Sequence, residues 1–119
     1  MGKKFLFVMR RAPHAGVQVR ETLDMILTAA AFDQAVSLLF LDDGVYQIKR
    51  GQHPEAAGLP AVAPMFEALE LYDVEAVLAE RESLLERGLS AADLAIPARI
   101  IDRSAIAALI AEHAVVVGC

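Results

Sequence analysis

Only one cysteine, Cys119, occurs in the 119 residues, so no internal disulfide can form and stability must come from packing. With no targeting segment either, the expected compartment is a reducing cytoplasm. Proline and glycine are sparse, five and seven residues, and 23% of the chain is charged, a balance that excludes a disordered or low-complexity chain. No apolar run approaches the roughly 20 residues of a membrane span. The run Phe5 to Met9 is closed by Lys3, Lys4, Arg10 and Arg11 and is too short for a signal-peptide core. What is abundant is apolar surface. Hydrophobic residues make up 56%, of which 22 are alanine and 33 are leucine, valine or isoleucine, a mixture suited to helices packed closely on a sheet. A domain of this size leaves roughly a third of its unfolded surface exposed, so a chain this apolar is expected to make subunit contacts.

The net charge of −5 is unevenly spread. Residues 1–20 hold five basic groups and no acid, while the remainder holds six basic groups against sixteen acids. An acidic body argues against broad phosphate-backbone binding and leaves only a local basic patch near the start.

Lys4 to Met9 is a continuous aromatic and branched run, the pattern of a strand buried on both faces. A loop through Pro13, His14 and Gly16 leads to a helix over Val17 to Ala31, with Leu23, Ile26, Leu27 and Ala30 on its apolar face and Arg20, Glu21, Asp24 and Thr28 turned to solvent or a partner. Ala35 to Leu41 is a second buried strand, stopped by the turn Asp42-Asp43-Gly44. Val45 to Pro64 has no sustained period and reads as a long irregular loop. A short helix over Met65 to Leu71 and a strand over Val74 to Ala79 follow, then a helix over Arg81 to Arg87 ended by Gly88. Ser90 to Asp93 has capping-box spacing, Pro97 to Ile101 is a strand, Asp102 caps a helix over Arg103 to His113 with Ile106, Leu109 and Ile110 on one face, and Ala114 to Val117 is the last strand. Strands alternating with helices five times predict one α/β domain with a mainly parallel sheet.

In such a sheet, sites collect beyond the carboxyl ends of the strands. Arg10, Arg11 and His14 precede a helix start and can contact an anion or a partner, although no glycine-rich phosphate motif is present. Asp42 and Asp43 can coordinate a hard cation or form an ordinary turn. No third ligand is near them, and His14, His53 and His113 lack ligand spacing, so no metal is expected. Ser83 lacks a nucleophile elbow. Cys119, beside the terminal carboxylate, is expected to have a raised pKa and little thiolate, making it an improbable reactive thiol. Residue chemistry alone assembles no catalytic constellation and implies no cofactor. An anion or small-ligand module remains one reading.

Ala12-Pro13-His14, Phe40 to Gln47, Gly51-Gln52-His53-Pro54, Leu71 to Val74 and Ser83 to Leu89, taken in order, resemble the DsrE/DsrF-like sulfur-relay family in its TusC/DsrF branch. The resemblance implies a flavodoxin-like parallel sheet of about five strands flanked by helices, over a single domain of residues 1–119. It also implies a cytoplasmic heterohexamer with TusB/DsrH-like and TusD/DsrE-like sister subunits. A TusA-like donor would feed persulfide sulfur to such a complex, and a TusE/DsrC-like acceptor would remove it. The purpose would be 2-thiolation of the transfer-RNA wobble uridine or, alternatively, dissimilatory sulfur oxidation, with no direct RNA or membrane contact. Counting back eight residues from Gly88, as the catalytic cysteine of the TusD/DsrE partner is spaced, reaches Glu80, which cannot carry a persulfide. No nucleophile is therefore inherited. Asp42, Asp43, Gly44, Tyr46 and Gln47 carry over as family-motif positions, Tyr46 and the loop Val45 to Pro64 being expected at a subunit interface.

Overall fold

The computed structural model describes residues 3–11, 18–32, 34–50, 74 and 76–118. Five strands, β1 (Lys4–Met9), β2 (Ala35–Phe40), β3 (Ala76–Glu80), β4 (Arg99–Ile101) and β5 (Val115–Gly118), form one sheet in the order β4-β3-β2-β1-β5. Every pairing is parallel, with Leu6 opposite Ser37 and Val116, and Leu39 opposite Leu78. Among the described residues the helices are α1 (Gln18–Ala31), α2 (Arg81–Glu86) and α3 (Ile106–Ala111), with 3₁₀ turns at Asp42–Ile48, Ala91–Asp93 and Arg103–Ala105. No helix among the described residues is long and apolar enough to cross a membrane.

Alternation along the strands divides the apolar side chains between two faces. Phe7, Met9, Val36, Leu38 and Phe40 pack with Leu23 and Ile26 of α1 and Leu84 of α2. On the other face Leu6, Val8, Leu39 and Leu78 meet Ile106 and Leu109 of α3. The helices that follow β1 and β3, α1 and α2, thus pack on one face, and α3, on the return from β4 to β5, packs on the other. Leu6, Leu38, Leu39 and Phe40 are fully buried, each contributing roughly 1.5–3 kcal/mol, so β1 and β2 both anchor the core.

Several expectations change. Val45 to Ile48 is not irregular loop: Val45, Gln47 and Ile48 are buried in this chain's own core within a 3₁₀ turn, and Tyr46 packs half-buried against that core. Of Val45 to Ile48, only Tyr46 keeps part of its surface exposed. The helix expected from Arg103 opens as a 3₁₀ turn and becomes α-helical only over Ile106–Ala111. Asp102 makes no side-chain cap and instead pairs with Arg81 at 2.8 Å. Ile110 turns outward at 39% exposure while Ile106 and Leu109 pack inward. The capping box holds, the Ser90 N–H donating to the Asp93 carboxylate at 2.8 Å. The helix expected over Met65 to Leu71, together with His14, His53 and Cys119, lies outside the described residues.

Candidate functional site

At the carboxyl edge of the sheet, the chain leaves β2 through Asp42, whose φ of 51° is left-handed, a conformation Asp tolerates better than most residues. Gly44 then comes so close to the end of β1 that an added Cβ would stand 1.8 Å from the Met9 carbonyl oxygen. That oxygen already accepts the Leu41 N–H at 3.1 Å, and the Gly44 N–H donates back to Leu41 O at 3.0 Å. The turn is thus wedged over β1. Its two carboxylates diverge: Asp42 takes Arg10 at 2.9 Å and Asp43 takes Arg87 at 3.1 Å. Among the described residues no three His, Cys, Asp or Glu side chains converge as metal ligands.

Gln47 is 1% exposed and donates from Nε2 to the Arg11 carbonyl at 2.7 Å, tying the end of the β1 segment to the 3₁₀ turn. Its Oε1 is buried with no partner among the described residues. Of the three residues expected to meet an anion, Arg10 is committed to Asp42, Arg11 lends its carbonyl to Gln47, and His14 is outside the described residues.

Glu80 ends β3 with a side chain only 4% exposed. Its Oε1 accepts the Ser83 hydroxyl and Arg103 Nη2, the latter at 2.9 Å. Ser83, fully buried, accepts the Asp42 N–H at 2.8 Å, so one hydroxyl links the β2 turn to the β3 carboxylate. Arg103 also donates to Glu86 Oε1 at 2.8 Å, and its backbone N–H is capped by Glu82 at 2.9 Å. Burial alone would push the Glu80 carboxyl up. The Arg103 and Ser83 hydrogen bonds and the Arg103 charge outweigh that, and the Asp42 charge, and hold it below the ordinary carboxylate range. The same bond from Glu80, then that from Glu86, fixes Arg103 firmly protonated. Glu80, Glu86 and Arg103 line, with Val8, Leu41 and Ile106, a cleft of about 630 Å³.

Ser83 and Arg103 are the site members that sequence reading passes over. In the sequence Ser83 reads only as a serine without a nucleophile elbow. Arg103 lies 23 residues from Glu80, and only the adjacency of β4 to β3 brings it there. Chemically, the position next to the β2 turn holds a doubly hydrogen-bonded carboxylate, which has no thiol sulfur on which to carry a persulfide.

A model of the DsrE/DsrF-like family matches residues 3–117. The chain belongs to the DsrE/DsrF-like family. It is 44% identical over 92 residues to the intracellular sulfur oxidation protein DsrF of Allochromatium vinosum, covering 77% of this chain and 68% of that protein. It is 40% identical over 96 residues to a TusC homolog of Vibrio vulnificus, covering 81% of each. A TusC homolog of Pseudomonas aeruginosa is 34% identical over 113 residues, 95% of each chain. The DsrE-like fold is shared with the crystal structure of the ychN protein from E. coli, with a TM-score of 0.83 at 20% identity, covering 98% of this chain and 99% of that one. The DsrE/DsrF-like resemblance and the parallel five-stranded fold read from the sequence are thus both upheld.

Proposed function

We propose that this chain is a non-catalytic subunit of a cytoplasmic, multi-subunit sulfur-relay complex. Beside TusB/DsrH-like and TusD/DsrE-like sisters, it supports passage of persulfide sulfur from a TusA-like donor to a TusE/DsrC-like acceptor. The observation that carries the non-catalytic role is Glu80, buried and held by Arg103 and Ser83 at the position where the resemblance puts the partner's cysteine. A nucleophile there would have to be a thiolate, and the surrounding charge is already balanced around a carboxylate. The relay itself rests on family membership and on likeness to DsrF and TusC homologs.

The acceptor reading we favour is 2-thiolation of the transfer-RNA wobble uridine. The likeness to the sulfur oxidation protein of Allochromatium vinosum supports sulfur oxidation as the second reading. Asp42, Asp43, Gly44 and Gln47 act as builders of the carboxyl edge, and Tyr46 as a residue near the subunit contact. Two results are expected: tagged chain co-expressed with its two sister subunits elutes with both as one complex, and deleting its gene removes 2-thiouridine from total transfer RNA, read by nucleoside mass spectrometry. Separate elution of the chain overturns the subunit role. Intact 2-thiouridine with impaired sulfur oxidation selects the second reading.

A further inference from the structure

Strands β3 and β4 are neighbours, yet the helices that follow them, α2 and α3, leave to opposite faces of the sheet. A switch of that kind opens a crevice beyond the carboxyl ends of the strands, where open α/β sheets hold their ligands. The cleft of about 630 Å³ lies there, taking Glu80 from the end of β3 and Arg103 from the chain just past β4. Val8, Leu41, Ile106 and Ile110 give it an apolar lining, and Ile110 is the most open of them at 39% exposure.

Its charged lining is Asp42, Glu80 and Glu86 against Arg10 and Arg103, three acids to two bases. Every bond there uses a single oxygen of each acid. Arg10 meets Asp42 at Oδ2, Arg103 meets Glu86 at Oε1, and both Arg103 and the Ser83 hydroxyl fall on Glu80 Oε1. Asp42 Oδ1, Glu80 Oε2 and Glu86 Oε2 accept no hydrogen bond among the described residues. The shortfall is sharpest at Glu80, whose side chain is only 4% exposed, because a carboxylate oxygen kept from bulk water needs a donor. Arg103 shows which charge the acids accept, since the fold sets its own guanidinium between Glu80 and Glu86. An anion would meet those unpaired oxygens and be repelled. A bare metal ion would leave the apolar lining uncovered, and no three acids converge on one among the described residues. A terminal ammonium has three N–H donors for the oxygens, and an aliphatic stem behind it covers the isoleucines.

We infer that the cleft binds an aliphatic primary ammonium group, its charge at Glu80 Oε2 between Asp42 and Glu86 and its stem along Ile106 and Ile110. The site does not rest on the sulfur-relay reading, and the relay can hold or fail independently of it. Titration of the full-length, isotope-labelled chain with n-pentylammonium and with Nα-acetyl-lysine methylamide, followed by amide NMR shifts, tests it. Saturable shifts centred on Arg103, Ile106 and Ile110 are expected. Tighter binding of pentylammonium marks a free amine as the ligand, and tighter binding of the lysine derivative marks a lysine side chain. Pentanoate, with a similar stem and the opposite charge, leaves these amides unmoved. Glu80→Gln keeps the shape of the side chain, removes its charge and weakens ammonium binding at least about tenfold. Ile110→Lys, at a partly exposed position outside the Glu80 cluster, puts a resident ammonium at the cleft and weakens binding as much, so the test stands should Glu80→Gln fail to fold. No saturable shift from either ammonium compound overturns the inference, as does pentanoate binding equally well or ammonium binding unchanged in Ile110→Lys.

Discussion

Gly44→Ala is expected to destabilise the fold by about 3 kcal/mol or more, lowering the melting temperature by roughly 10 °C, as thermal unfolding followed by circular dichroism would report. The new methyl would meet the Met9 carbonyl oxygen at 1.8 Å, and that oxygen cannot retreat without losing the Leu41 N–H. Moving the 3₁₀ turn instead would unseat Val45 and Ile48 from the core and strain the links from Asp42 to Arg10 and Ser83. Gly88→Ala is the matched control. Gly88 has a φ of 68° but open space around it, so only the cost of a left-handed backbone applies, about 1 kcal/mol. Equal effects at the two glycines would show that close approach is not what fixes Gly44.

The second large effect is expected at Glu80. Glu80→Ala removes the acceptor of both Ser83 and Arg103 and costs about 2 kcal/mol near neutral pH; the half-exposed Arg103 recovers part of the loss from water. Glu80→Gln retains an acceptor of the same shape and isolates the charge. The folded-state pKa of Glu80 lies below its ordinary value, so its ionic contribution is complete above the unfolded carboxyl pKa of about 4.3 and is lost as pH falls through the folded value. Urea unfolding should therefore find the wild-type chain more stable than Glu80→Gln at pH 7. The gap should close on acidification below about pH 4. A gap that persists or widens in acid would contradict a charge-held cluster.

The central strands are legible because burial on both faces writes them as uninterrupted apolar runs: Lys4 to Met9 reads as a strand with the bounds it has. At the edges the text is less clear. Pro97 has no N–H to offer a ladder, and the fourth strand narrows to Arg99–Ile101. Val45 to Ile48 shows no period because its turn packs by a single close approach at Gly44, which leaves no repeating pattern. Glu80 is locatable by its spacing from the left-handed Gly88, but its partners are not. Ser83 is one helical turn away and Arg103 arrives through sheet order, so pairing across β3 and β4 decides their roles. Met25 and Phe32, 45% and 72% exposed, read in the sequence only as ordinary helix composition. Part of the apolar surplus noted in the composition collects there.

In the relay proposed above, sulfur is not carried on this chain. The direct measurement is persulfide labelling and mass spectrometry of the assembled complex after loading from a cysteine desulfurase and carrier, with this subunit either wild type or Cys119→Ser. The label is expected on a sister subunit, with transfer to the acceptor unchanged by Cys119→Ser. A persulfide on Cys119, with transfer abolished by the substitution, would contradict it.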